Sequence, residues 1–228
     1  MKGRKREIIA YFRELDRRFF MDSHKELAGL DEALPIGFDQ TISQPSLVLE
    51  MTLALDLQPD SKVLEIGTGS GFQTALLAEF SEEVYTVERI KELHGRAKER
   101  LKEAGFKNIR FQLDDGSMGW QEFAPYDRIM VTAAASTVPA ELLDQLNVNG
   151  KLLIPVGTPA MQELTLLEKD ADGKVTSTVL NYVRFVPLKE NMNKKLCVSV
   201  GKDAQLFIRF SAPLSADGQR QTIDSKRW

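Results

Sequence analysis

Three glycines stand at alternate positions in Glu65-Ile-Gly67-Thr-Gly69-Ser-Gly71, directly after the apolar run Lys62-Val-Leu-Glu-Ile66 and before Phe72-Gln-Thr-Ala-Leu-Leu-Ala-Glu-Phe80. Glycines at a strand-to-helix turn serve either of two ends: letting the backbone come close to a ligand, or letting the helix pack close on the strand. Both readings are open from these residues alone. Among ligands, the spacing discriminates. A dinucleotide fingerprint G-x-G-x-x-G needs glycine at the position of Phe72, and a phosphate-binding P-loop needs a lysine that is absent. The pattern E-x-G-x-G-x-G is preferred by S-adenosylmethionine enzymes over phosphate binders, with Glu65, Gly67, Gly69 and Gly71 as its members.

Two acidic positions fit the same ligand. Glu88 ends the next strand-like segment, where a carboxylate accepts ribose hydroxyls. Asp114-Asp115-Gly116 ends the one after, where Asp115 and the backbone at Gly116 can read an adenine edge. Either acid alone reads equally well as a solvated strand end. Their succession at consecutive strand ends favours one nucleoside-bearing ligand.

A different kind of chemistry is raised by Ala33-Leu-Pro-Ile-Gly-Phe-Asp-Gln-Thr-Ile-Ser-Gln-Pro45, which reads as a loop with Ser43 among turn-formers. The only two histidines, His24 and His94, lie in charged, helix-like stretches, and neither reads as a base for Ser43. The residues leave Ser43 two compatible roles. It can cap the helix that follows at Gln44-Pro45-Ser46-Leu-Val-Leu, and at a helix N-terminus it can help receive an anion. The segment Val131-Thr-Ala-Ala-Ala-Ser-Thr137 has no aromatic plate for a flipped base and no carboxylate for a metal. No His, Cys and Asp grouping has metal-ligand spacing, so no metal is expected.

The elements that must position these residues alternate. Strands are expected at Lys62–Ile66, Glu83–Val87, Asn108–Leu113, Arg128–Thr132 and Lys151–Val156. Helices are expected at Phe72–Phe80, at Ile90–Ala104 ended by Gly105, and at about Pro139–Leu146. Such alternation means right-handed crossovers and a mainly parallel sheet with helices on both faces. Glu163–Glu168, the turn Asp170-Ala-Asp-Gly173 and Lys174–Phe185 then read as a hairpin that closes the sheet in antiparallel fashion. An amphipathic helix opens the chain from Glu7, its basic start, Lys2 to Arg6, a solvated helix end. Trp120 reads as a core anchor beside the adenine pocket and Cys197 as a packing residue. Beyond Leu188 the pattern weakens to one more hairpin, Leu196–Val200 with Gln205–Phe210, and a polar end after Pro213 expected to be mobile.

Composition agrees with a single enzyme-sized unit. The chain has 228 residues, is 43% hydrophobic and carries a net charge of −3, which offers no field to collect nucleic acid. One cysteine cannot form an internal disulfide, and no apolar run is long enough to span a membrane, so a cytoplasmic location is expected.

Taken together, Leu34-Pro-Ile-Gly-Phe-Asp-Gln-Thr-Ile-Ser-Gln-Pro45, Val63-Leu-Glu-Ile-Gly-Thr-Gly-Ser-Gly71, Val87-Glu-Arg-Ile90, Asp115-Gly-Ser-Met-Gly-Trp120, Val131-Thr-Ala-Ala-Ala135, Leu153-Ile-Pro-Val-Gly157 and Val183-Arg-Phe-Val-Pro-Leu188 resemble the protein-L-isoaspartate O-methyltransferase family from about Leu15 to Leu188. The resemblance implies a class I S-adenosylmethionine-dependent, Rossmann-like α/β fold. The expected domain is 1–188, with a helical cap at 1–60 that carries the active-site loop, a core at 61–188, and an extension at 189–228. It implies methyl transfer from S-adenosyl-L-methionine to the α-carboxylate of L-isoaspartyl residues in damaged proteins and peptides, leaving S-adenosyl-L-homocysteine. The ester then collapses to a succinimide that hydrolyses partly to aspartate. Ser43 would be the active-site serine. Gly37, Phe38, Asp39 and Gln40 would cover the cofactor, and Arg184 and Val186 would join Ser43 on the substrate. Arg17 is a weaker candidate for the substrate carboxylate, since Asp16-Arg17-Arg18 reads equally as a solvated helix face. No nucleic acid or membrane partner is expected. Asp39, Asp114, Gly29 and Ser46 depart from common family residues, and leave open esterification of another carboxylate, such as aspartate in a dedicated peptide, or binding without catalysis.

Overall fold

A computed structural model describes residues 2–189 and the backbone of 196–200 and 206–210. At its centre is a seven-stranded sheet. Its strands are β3 (Lys62–Ile66), β4 (Glu83–Glu88), β5 (Ile109–Leu113), β6 (Tyr126–Val131), β7 (Leu146–Thr158), β8 (Met161–Lys169) and β9 (Val175–Val183), in the spatial order β5-β4-β3-β6-β7-β8-β9. The first five are parallel, whereas β8 and β9 pair antiparallel to complete the sheet, as the turn at Asp170–Gly173 predicts. After β3 the chain moves to β4 on one side and later to β6 on the other. That reversal opens a crevice at the carboxyl ends of β3 and β6, where open parallel sheets bind ligands.

The two sheet faces are covered unequally. Helices α1 (Lys2–Glu14), α2 (Pro45–Leu55), α3 (Phe72–Glu79) and α4 (Lys91–Glu103) supply Ile8, Met51, Leu76 and Leu101 to one buried layer against Val63, Val84 and Leu153. On the other face α5 (Ala140–Asp144) contributes Leu142 and Leu143, beside Tyr85, Tyr126, Trp120 and Phe123. Trp120 meets Tyr85 edge-on at 5.7 Å and Phe123 at 5.1 Å. It is thus an anchor of this aromatic group and does not border the crevice. The helix expected over Pro139–Leu146 stops at Asp144, because Gln145 and Leu146 are drawn into strand pairing. The Tyr126 N–H donates to the Gln145 carbonyl at 2.8 Å, and Leu146 sits opposite Tyr126.

Residues 33–45, which read as a loop, form a small hairpin of β1 (Leu34–Gly37) and β2 (Gln40–Ile42) that leads into α2. Its tip has three successive left-handed residues, Gly37 (φ 87°), Phe38 (56°) and Asp39 (56°). This is the backbone of a two-residue hairpin turn, easy for glycine and tolerated by aspartate but strained for phenylalanine. The Gln40 amide braces it by donating to the carbonyls of Phe38 (3.1 Å) and Asp39 (3.0 Å), while the Phe38 ring lies 5.7 Å from the Arg96 guanidinium on α4.

β10 (Leu196–Val200) and β11 (Leu206–Phe210) pair antiparallel as expected. The Cys197 side chain and the polar end after Pro213 lie outside the described residues.

Candidate active site

The crevice is bounded by what the strands leave at their carboxyl ends: Ile66 to Ser70 after β3, Val87 to Arg89 after β4, Asp115 and Gly116 after β5, and Thr132 and Ala133 after β6. Gln40 to Ser43 and Val186 to Lys189 close its sides. The crevice is open to solvent, and its void, taken out through that opening, is about 830 Å³.

The glycine turn is held open by its neighbours. Gly67 (φ 97°) donates its N–H to the Val87 carbonyl at 2.8 Å, and a Cβ there would lie 2.4 Å from Thr132 Oγ1. That hydroxyl is itself fixed, 3.0 Å from the Ile66 carbonyl oxygen and 2.7 Å from that of Gly67. Gly116 is equally confined, since its Cβ would fall 2.3 Å from Ile66 Cγ2. Gly67→Ala is therefore expected to cost about 2 kcal/mol, a drop of roughly 4 to 8 °C in Tm, and to weaken cofactor binding at least about tenfold. Calorimetry and titration of the folded variant check this; wild-type Tm and affinity would contradict it. Gly71 (φ 87°) lies off the crevice, where a side chain would crowd Leu101, so the third glycine of the motif serves helix packing.

Glu88 faces the crevice and organises it. Its carboxylate accepts the Gly69 N–H at 2.9 Å and the Ile90 N–H at 2.8 Å, tying the glycine turn to the start of α4. Asp115 accepts the Ser117 N–H at 3.0 Å and so shapes the short turn at Gly116–Met118.

Glu65 is turned away from the crevice. Fully buried between β3 and α3, it accepts the hydroxyls of Thr74 and Thr86, each at 2.6 Å on Oε2, while Oε1 has no partner among the described residues. Thr86 is its cross-strand neighbour in the sheet register. Burial pushes its pKa up to about 8, partly offset by the two hydroxyl donors and reinforced by Glu88. A carboxyl whose folded pKa lies above its unfolded value stabilises the fold most at low pH, and that stability is lost as pH rises through the folded pKa. Between about pH 5 and 8 the wild type is expected to lose Tm more steeply than Glu65→Gln; parallel Tm profiles for the two proteins would refute the assignment.

Ser43 stands at the end of the hairpin. It is not the helix cap: Pro45 takes the first helical position, Gln44 the capping one, and the backbone donor of Ser46 goes to Asp31 Oδ1 at 2.8 Å. The Gln44 amide donates to the other Asp31 oxygen at 3.0 Å. The Ser43 hydroxyl is left without a hydrogen bond among the described residues, as is the Val186 N–H. Both residues also line a second, outer cleft with Thr41, Thr132, Glu50 and Arg184.

Of the residues expected in the site, the structure brings Gln40, Gly67, Gly69, Glu88, Asp115, Gly116, Ser43 and Val186 to the inner crevice. Arg184 borders only the outer cleft. Gly37, Phe38 and Asp39 form the hairpin tip beyond the crevice wall, because the turn carries them toward α4. His24 is exposed, and His94 packs edge-on against Phe111 at 6.1 Å, its pKa held below the usual imidazole value by burial and Lys98.

Arg17 is not on a solvated face. It is 5% exposed and donates to five backbone carbonyls, whereas its neighbours Asp16 and Arg18 are exposed and pair with each other. Thr132 and Asp31 are the site features that sequence reasoning missed, and Arg17, a weaker candidate for substrate contact, lines neither cleft. Thr132 could have been found as the first residue after β6. Among the described residues no group of three His, Cys, Asp or Glu side chains could hold a metal ion, and no helix is long and apolar enough to cross a membrane.

Known proteins share this architecture. A Plasmodium falciparum structure, described as a protein-L-isoaspartate O-methyltransferase in complex with S-adenosyl-L-homocysteine, superposes with a TM-score of 0.64 at 26% identity, covering 80% of this chain and 98% of that one. A second solved protein-L-isoaspartate O-methyltransferase gives a TM-score of 0.72 at 24% identity, over 82% and 67% of the two chains, a likeness of fold. Curated relatives are nearer in sequence. The protein-L-isoaspartate O-methyltransferase of Dictyoglomus turgidum is 50% identical over 184 residues, 80% of this chain and 83% of the relative. That of Pseudomonas paraeruginosa is 50% identical over 185 residues, with 79% and 86% covered. The profile of one family matches residues 2–193, and the chain belongs to that family, protein-L-isoaspartate(D-aspartate) O-methyltransferase.

Proposed function

We infer that this chain transfers a methyl group from S-adenosyl-L-methionine to the α-carboxylate of L-isoaspartyl residues in damaged proteins and peptides. The observation that carries the reading is the wall common to the two clefts. Thr41, Ser43, Thr132 and Val186 border both, and there the Ser43 hydroxyl and the Val186 N–H have no partner among the described residues. A carboxylate entering from the outer cleft would meet two unused donors at the opening to the inner one.

The residues of the inner crevice fit the cofactor. The backbone at Gly67 and Gly69 lies bare because no side chain has room at Gly67, and Glu88 would receive the ribose hydroxyls. Asp115 and Gly116 would meet the adenine, and Gln40 would close the side. Bound there, the cofactor supplies an electrophilic methyl group.

What the chain itself must do is modest. A carboxylate has an ordinary pKa near 4, so it is ionised at neutral pH and needs no base, which accords with two histidines that stand apart. Ser43 and Val186 would orient it by charge-assisted hydrogen bonds, and Ile42, Val48 and Leu188 along the crevice would keep water from the reacting pair. Arg184, on the outer cleft, would meet the peptide around the reacting residue. The substrate partners are isoaspartyl-containing proteins and peptides. The single cysteine supports a cytoplasmic location.

Labelled S-adenosylmethionine with matched isoaspartyl and aspartyl peptides tests the reading. Base-labile label on the isoaspartyl peptide is expected. Label on the aspartyl peptide would favour another carboxylate as acceptor, and cofactor binding without transfer would indicate a binding protein.

A further inference from the structure

Arg17 has an unusual environment for a charged group. It is 5% exposed and forms no ion pair among the described residues. Its Nη1 donates to the carbonyls of Ala28 (3.2 Å) and Leu30 (3.0 Å), and its Nη2 faces those of Glu32 (2.7 Å), Ile42 (3.4 Å) and Ser43 (3.0 Å). Taking a guanidinium out of water is costly; here carbonyl dipoles and the charge of the nearby Asp31 carboxylate compensate it, while Nε has no partner among the described residues. Only its planar fork can reach this many acceptors at once; a lysine ammonium has three donors on one atom.

The acceptors belong to two stretches of chain. Residues 28–32 lead into β1, and residues 42 and 43 leave β2 for α2, so Arg17 joins the entrance of the hairpin to its exit at Ser43. On the far side of Ser43 the Asp31 carboxylate holds the Ser46 N–H and the Gln44 amide. The backbone around Ser43 is thereby pinned before and after the residue, while its hydroxyl stays unbound.

We propose that Arg17 is a positioning residue for methyl transfer: by clamping the Ser43 carbonyl to the 28–32 segment it fixes the direction of the Ser43 hydroxyl at the mouth of the cofactor crevice. The part concerning transfer rests on the functional reading above, whereas the clamp itself is a property of the chain. Arg17 touches neither crevice, so its loss should spare the cofactor. It does line a separate cavity between α1 and residues 25–29, the route by which a small cation would reach the position of its head group in an alanine variant.

The test uses the full chain with Arg17→Ala, and Arg17→Lys in its place should the alanine protein not fold. Three quantities are compared with wild type: turnover on an isoaspartyl peptide, S-adenosylmethionine Kd, and amide hydrogen exchange of residues 40–47 against the β3–β7 core. Expected are a turnover lower by at least about 30-fold, a Kd within about threefold, and exchange at least about tenfold faster in 40–47 with the core unchanged. For Arg17→Ala, tens of millimolar ethylguanidinium should restore at least about fivefold in turnover and slow the exchange, whereas methylammonium at equal ionic strength should not. Turnover within about threefold of wild type, or a loss of turnover with unaltered exchange in 40–47, would overturn the proposal. The exchange readout needs no substrate, so a wild type inactive on isoaspartyl peptide would sink the functional reading while the clamp is still decided by residues 40–47.

Discussion

Glu88→Ala is expected to raise the dissociation constant for S-adenosylmethionine by about 100-fold or more, the largest effect on binding of any single side chain in the site. The carboxylate has two duties. Within the fold it accepts the N–H groups of Gly69 and Ile90, at 2.9 and 2.8 Å, so its removal frees the glycine turn and the first turn of α4 together. With the cofactor present it would also accept the ribose hydroxyls. Hydrogen bonds to a charged group contribute about 1.5 to 3 kcal/mol each, so two lost contacts suffice for the stated factor. Glu88→Gln, which keeps one acceptor oxygen, should fall between, at roughly tenfold. Isothermal titration settles the matter: an alanine variant that binds the cofactor within threefold of wild type would remove Glu88 from the cofactor site.

For Ser43→Ala the expected division is the reverse. Turnover should fall by roughly 10- to 150-fold, the equivalent of one hydrogen bond to a charged group, while cofactor affinity changes little. The structure sharpens this expectation. Because the helix cap is supplied through Asp31 and Gln44 and not by Ser43, the substitution removes no bond within the described fold. Its Tm should therefore match wild type, which separates a catalytic loss from a structural one. Steady-state kinetics beside a melting curve provide the check. Unchanged turnover would leave the hydroxyl without a role in transfer, and a large drop in Tm would make it a structural group after all.

What was legible in the sequence is what local pattern controls. Lys62–Ile66 appears as a strand with the expected bounds because a run of buried apolar residues ends at glycine, and Gly105 terminates α4 with the positive φ (91°) that its position demands. The glycine turn, Glu88 and Asp115 follow from that framework, since each sits where a parallel strand stops. The misreadings come from residues whose partners are distant along the chain. Arg17 sits between two charged neighbours and resembles them in sequence, but its acceptors lie 11 to 26 residues away, on segments that come together only once the hairpin has formed. Glu65 belongs to the motif by spacing, yet strand alternation turns it toward Thr74 and Thr86 and away from the crevice. β7 begins at Leu146, before the expected Lys151, because Leu146 already pairs with Tyr126 of β6, and the turn-like Asn147-Val-Asn-Gly150 forms the irregularity before pairing resumes at Lys151 opposite Arg128.

The central claim is that an isoaspartyl carboxylate, presented through the outer cleft, receives the methyl group at the wall formed by Ser43 and Val186. Its most direct test is the ratio of kcat/KM for an isoaspartyl peptide to that for its aspartyl twin of identical sequence, followed by base-labile methyl label from S-adenosylmethionine. A site built to hydrogen-bond the free α-carboxylate loses those partners when that carboxyl is locked in the peptide chain, so a ratio of at least about 10⁴ is expected. A ratio near one, or label that withstands base, would contradict the account.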